Sequence, residues 1–208
     1  MTDASLLYIA DPMCSWCYGF GPEMRRLVAA YGDRIGVELI AGGLYPGNAM
    51  VLPPGQRRWV LHHWAEVQAH TGLPFDFDAA MPEGFVYDTE PACRAVVAMR
   101  RLAPDMALAY FDRLQGAFYR QARDLTDDAV LVELAGDLAP DAAAFTACLN
   151  DPDTREATQG DFHRRHQFGV RGMPAVILSD ARGYKRLTEG YQPFDTLRKR
   201  LEKRLTRV

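Results

Sequence analysis

The run Leu6-Leu7-Tyr8-Ile9-Ala10, followed at once by Asp11-Pro12-Met13-Cys14-Ser15-Trp16-Cys17, constrains this chain more than any other segment. Five apolar residues in a row read as a short buried strand. Two thiols separated by two residues, at the start of a helical pattern, stand within bonding reach and can close into a disulfide and open again. The fold must therefore bring a strand end, a helix start and both sulfurs to one point.

The flanking patterns say what kind of fold does this. A helix from Cys14 to about Tyr31 leads into a second strand at 36–41, which Gly42 and Gly43 end. Strand, helix and strand at this length form a βαβ unit, with parallel strands and a right-handed crossover. Near the other end, Asp151 and Pro152 are an N-cap and a first helical residue. That helix runs to about Phe168. A strand at 175–178, a turn at 179–183 and a strand at 184–188 then form a hairpin. Gly190 breaks the second strand, and a terminal helix covers about 194–206. Between these ends only helices are predicted. Segment 56–71 carries Val60, Trp64 and Val67 at helical spacing, and segment 90–103 carries Ala92, Val96 and Met99. After Pro104, the residues Ala107, Tyr110, Phe111, Leu114 and Phe118 form an apolar stripe whose ordinary role is core packing. Thr126 reads as the N-cap of the next helix, and a short helix over 141–149 closes the region. Joined across this insert, the ends have the thioredoxin order. The sequence thus predicts an α/β class protein: residues 1–48 and 151–208 form a thioredoxin-like domain, and 49–150 an all-helical domain inserted after the second strand.

Bulk properties fit one such unit. The 208 residues suit one domain with a sizeable insertion. A formal charge of −3 gives no reason to expect nucleic acid or an anionic membrane as partner. No stretch is apolar for long enough to span a bilayer. Residues 1–5 hold one acid and no base, and the apolar run after them is too short for a secretory signal. A cytoplasmic location is therefore predicted. Four cysteines are too few for a disulfide scaffold, and a reducing compartment would not keep one oxidised. Cys14 and Cys17 are better read as chemistry than as a staple.

The chemistry assigns different roles to the two thiols. A free thiol titrates near 8.5, so only about 3% is thiolate at pH 7. A helix N-terminus offers unpaired N–H groups and partial positive charge, which favour a thiolate at Cys14. Cys14 is the predicted nucleophile. Cys17, one turn further in, is the predicted resolving thiol, attacking the mixed disulfide that Cys14 forms with substrate. Trp16 offers an apolar contact to substrate or shields the site. Pro22 removes a helical hydrogen bond and predicts a kink. Asp11 either caps the active turn or helps move the proton of Cys17. Met173-Pro174, just before a buried strand, is a candidate cis peptide opposite the nucleophile, or a trans proline that merely opens an edge strand. In the first case the Met173 backbone is free to pair with an extended substrate. Half a zinc site is the competing reading of the cysteine pair, but no second Cys or His pair has ligand spacing, and no metal is expected. His163 and His166 read as surface or packing residues. Cys93 and Cys148 lie on apolar helix faces as small hydrophobes, with no assigned role.

The segments Asp11-Pro12-Met13-Cys14-Ser15-Trp16-Cys17-Tyr18 and Gly169-Val170-Arg171-Gly172-Met173-Pro174, with the tail Glu189-Gly190-Tyr191, resemble the DsbA-like thiol–disulfide oxidoreductases, most closely their cytoplasmic FrnE-like branch. The resemblance implies a thioredoxin fold with a helical insertion, a nucleophilic Cys14, a resolving Cys17 and a cis Pro174. It implies protein or small-molecule thiols and disulfides as partners, a second protein that resets the pair, and no cofactor beyond glutathione as a candidate redox partner. Ser15 stands where many relatives have proline, Trp16 where periplasmic ones have histidine, and Met173 where a smaller residue is frequent. A strong oxidising power is therefore not implied. The related kappa-class glutathione transferases and hydroxychromene-carboxylate isomerases typically carry serine in place of Cys14. A glutathione-dependent transferase or isomerase, and a non-catalytic thioredoxin-fold adaptor, are the competing functions.

Overall fold

The computed structural model describes residues 4–206. At its centre lies a four-stranded sheet ordered β2-β1-β3-β4. Strand β1 (Ser5–Ala10) runs parallel to β2 (Gly36–Ala41), from Ser5 opposite Gly36 to Ala10 opposite Ala41. Strand β3 (Ala175–Asp180) lies antiparallel on the other side of β1, with Ile9 opposite Ala175. Strand β4 (Gly183–Glu189) completes the hairpin, with a register shift between Val176 and Ile177. A central strand is covered on both faces, so β1 is apolar without alternation.

Helix α1 (Ser15–Tyr31) starts directly below the end of β1 and runs unbroken through Pro22. It buries Cys17, Tyr18, Phe20, Met24 and Leu27. The terminal helix, α8 in chain order (Phe194–Leu205), lies beside it, tied by the Tyr31 hydroxyl donating to Glu202 at 2.8 Å.

Between β2 and the third strand come α2 (Pro54–Thr71), α3 (Glu90–Leu102), α4 (Ala107–Gln121), α5 (Asp128–Ala135), α6 (Ala142–Asn150) and α7 (Pro152–Gln167). This is a thioredoxin fold with a helical insertion. Helix α2 begins two residues before its predicted start, with Pro54 at the first turn, where a missing N–H costs nothing. One N-cap differs from expectation. Asp127, not Thr126, caps α5 by accepting the Ala129 N–H, because the Thr126 hydroxyl is taken by Asp124 at 2.7 Å.

The insertion and the sheet share a main core. Tyr8 of β1 packs its ring against Phe20 of α1 and Phe111 of α4, each with centroids 5.9 Å apart. Tyr18 of α1 stacks on Tyr119 of α4 at 4.7 Å, and Trp64 of α2 meets the same Tyr119 edge-on. A Cβ at Gly19 would sit 2.7 Å from Val67 Cγ1, so the missing side chain lets α1 and α2 approach closely. Asp161 of α7 is buried and fixes the site end of β2: it accepts the Ala41 N–H at 2.8 Å and pairs with Arg100 of α3 at 2.8 Å.

Candidate active site

Cys14 is the N-cap residue of α1, in extended conformation, and its N–H donates to the Asp11 carbonyl at 3.1 Å. The Asp11 side chain closes the same turn by accepting the Met13 N–H at 2.8 Å. The Met13 carbonyl in turn accepts the Tyr87 hydroxyl, which pins the turn to the insertion. Both cysteines are free thiols. Cys14 is 7% exposed and Cys17 fully buried. Burial pushes the Cys17 thiol well above its ordinary range, and the neighbouring Cys14 adds to the effect.

The Cys14 sulfur faces the Met173 carbonyl oxygen at 4.0 Å, and the Met173–Pro174 bond is cis. Several contacts hold this loop. Glu189 accepts the backbone N–H groups of Arg171 and Gly172 at 2.7 and 2.9 Å; the Gly172 bond is the main cause that holds its carboxyl below the ordinary range. Gly190 donates to the Pro174 carbonyl at 2.7 Å. The Arg165 guanidinium donates to the carbonyls of Gly42, Gly43, Val170 and Arg171, clamping the end of β2 to the loop. Among the described residues the Met173 N–H has no hydrogen-bond partner. Met173 packs over Gly42, where a Cβ would stand 2.0 Å from its sulfur.

Asp11 does more than cap. Its second oxygen accepts the Leu44 N–H at 2.6 Å and lies 3.4 Å from the Cys93 sulfur of α3. It is fully buried, and desolvation raises its carboxyl above the ordinary value despite those hydrogen bonds. Cys93 is thus a neighbour of the active turn. The sequence held no signal for this, because the two residues are 82 positions apart and meet only through the insertion.

A cavity of about 210 Å³ opens beside Cys14. Ser15, Trp16 and Met173 line it together with Trp59, His63 and Trp64 of α2, Tyr45 and Tyr87 of the loops, and Arg165 and Arg171. Trp16 is half-buried, with its ring against His70 and Tyr191. Sequence reasoning took Trp64 as core and passed over Trp59, Tyr45, Tyr87, Arg165 and Arg171. One signal was readable: Trp59 lies off the Val60, Trp64 and Val67 stripe and remains 54% exposed, an aromatic on the polar face of an amphipathic helix. Among the described residues no group of three or more His, Cys, Asp or Glu is placed to hold a metal ion. No helix of the described residues is long and apolar enough to cross a membrane.

A family model for DSBA-like thioredoxin domains matches residues 8–202. The chain belongs to this family. Among solved structures this DSBA-like protein is similar to a candidate protein disulfide isomerase from Nitrosomonas europaea, at 38% identity and a TM-score of 0.92, with 97% of each chain covered. It is also similar to the cytosolic disulfide reductase DsbM from Pseudomonas aeruginosa, at 29% identity and a TM-score of 0.77, covering 97% of this chain and 98% of that one. DsbM has also been solved with GSH. The ClpXP adapter protein SpxH of Shouchella clausii is 24% identical over 190 residues, which take in 88% of this chain and 61% of that protein. The chain spans 56–61% of the length of the SpxH proteins it matches. At the level of the family, this is a DSBA-like thioredoxin-fold domain.

Proposed function

We propose that this DSBA-like protein exchanges disulfides through Cys14 as nucleophile and Cys17 as resolving thiol, acting as a reductase or isomerase on protein or small-molecule disulfides in the cytoplasm. The observation that carries the reading is the asymmetry of the pair. Cys14 sits at the helix start against a cavity and the Met173 carbonyl, while Cys17 is sealed one turn behind it. The Cys14 thiolate attacks a substrate sulfur, releases one thiolate and leaves a mixed disulfide. Cys17 then attacks the Cys14 sulfur, releases the second thiolate and leaves a Cys14–Cys17 disulfide. The free Met173 N–H and the carbonyl beside Cys14 offer an extended substrate backbone a donor and an acceptor, and Trp16 offers it an apolar surface. Asp11 holds the turn in this scheme. Residues 1–48 and 151–208 supply the redox centre and 49–150 its cover. Glutathione is a candidate redox partner, supported by the DsbM structure with GSH. A second protein would reset the pair.

Insulin disulfide reduction tests the reading. Cys14→Ser should abolish turnover, and Cys17→Ser should accumulate a mixed disulfide at Cys14. Turnover that survives Cys14→Ser would sink it. Activity that survives Cys17→Ser with full turnover would favour a glutathione-dependent transferase or isomerase instead.

A second reading is an adaptor that holds a partner protein. It is supported by the similarity to SpxH and by the exposure of Met50, Val51 and Trp59. It predicts that replacing both cysteines with serine leaves the cellular role intact.

A further inference from the structure

The cavity beside Cys14 has a one-sided charge. The whole chain holds 27 acidic residues and 24 lysines and arginines, yet the cavity wall contains Arg165, Arg171 and His63 and no Asp or Glu. The three basic groups are not equivalent. Arg165 spends its donors on four backbone carbonyls. His63 faces Glu66, 2.6 Å away, which offsets any charge it carries. Arg171 is exposed, and no carboxylate lies within ion-pair distance of it among the described residues. Its backbone N–H is held by Glu189, whose carboxylate feels the Arg171 charge at longer range but forms its ion pair with Arg186. The other nearby acid, Asp11, is fully buried behind the turn. An unpaired guanidinium at the mouth of a small aromatic cavity, two residues before Met173, is placed to meet an anion whose sulfur is at Cys14. Its planar fork suits a carboxylate.

We propose that Arg171 is a specificity residue that selects carboxylate-bearing small thiols and disulfides over neutral or cationic ones at Cys14. This rests on the reading of Cys14 as the nucleophile and names the substrate class of that site. The aromatic wall takes the body of the ligand and Arg171 takes a carboxylate. With glutathione disulfide the step is one exchange: the Cys14 thiolate forms a bond to one glutathione sulfur, the original S–S bond breaks, and one glutathione thiolate leaves. Cys17 then displaces the second, so the protein dithiol is oxidised as the disulfide is reduced to two thiols.

The test measures oxidation of the reduced protein by glutathione disulfide, which is net anionic, by hydroxyethyl disulfide, which is neutral, and by cystamine, which is cationic. The readout is the ratio of rate constants. In Arg171→Gln the preference for glutathione disulfide over cystamine should fall about five-fold, the size expected of a strong exposed ion pair. Arg171→Lys should keep most of the preference, and Arg171→Glu should reverse it. High salt should shrink the preference of the unaltered protein and leave that of Arg171→Gln little changed. An identical ratio in the Gln and Glu variants, or an equal loss with all three disulfides, overturns the assignment and leaves Cys14 as nucleophile. Failure of Cys14 to exchange with any of the three overturns the nucleophile reading, and the Arg171 assignment with it.

Discussion

Cys14 Sγ and the Met173 carbonyl oxygen face each other at 4.0 Å across 159 positions of sequence. Two loops at the end of the sheet are thereby brought to one sulfur. One loop follows β1 and carries the nucleophile candidate. The other precedes β3 and offers a free N–H and a carbonyl. Because β1 and β3 are adjacent and antiparallel, the end of one strand must meet the start of the other.

The burial of Cys17 predicts unequal reactivity. At pH 7 iodoacetamide should modify Cys14 at least about ten-fold faster than Cys17 in the folded, reduced protein, since Cys17 is sealed and its thiol is pushed up. Site-resolved mass spectrometry after short exposures checks this. Equal labelling of the two would contradict the geometry.

Asp11 predicts a pH dependence of stability. Its carboxyl is raised in the folded state, chiefly by desolvation, so the fold binds a proton more tightly than the unfolded chain does. The stabilising contribution is full below the unfolded value and is lost as pH rises through the raised one. Asp11→Asn removes this term. Urea unfolding of both proteins from pH 4 to 8 should show the stability difference, unaltered minus variant, falling with rising pH. A difference that is flat or rises would refute it.

Gly42 and Met173 predict coupling. A Cβ at position 42 overlaps the Met173 sulfur. Gly42→Ala should displace Met173 and slow disulfide exchange at Cys14. Adding Met173→Ala should relieve the overlap, with a coupling of about 1 kcal/mol in a double-mutant cycle on stability. Additive effects would show that the two positions do not meet.

Asp161 predicts the largest loss of stability. It is buried, pairs with Arg100 and accepts the Ala41 N–H at the end of β2. Asp161→Ala leaves the Ala41 N–H without a partner and Arg100 with the Leu39 carbonyl but no counter-charge, and should cost about 3 kcal/mol, read from the urea midpoint. A loss below about 1 kcal/mol would mean the pair is dispensable.

Much of the architecture was legible from local signals. The βαβ unit, the hairpin and the helices of the insertion follow from apolar period and from glycine and proline punctuation, and their ends fall within two residues or so of prediction. Thr126 shows the limit of such signals: a hydroxyl suited to capping was taken by Asp124, and the neighbouring aspartate capped instead. For Met173-Pro174 the residues alone left cis and trans open. The bond is cis, as the family resemblance implied.

Taken alone, the sequence determined the strand that delivers Cys14, the helix that starts at it and the spacing that puts Cys17 one turn behind. These are neighbours along the chain, so backbone geometry settles them. The tertiary structure decided what surrounds the pair. Cys93 beside Asp11, Arg165 clamping two loops, Gly42 under Met173 and the aromatic cavity wall all join residues distant in sequence. Their approach is set by how the helical insertion packs over the sheet end, and no local pattern encodes that. The physical reason is the shared core: burial of Tyr8, Trp64 and Tyr119 fixes the insertion in place, and the loops between its helices then fall where the sulfur is.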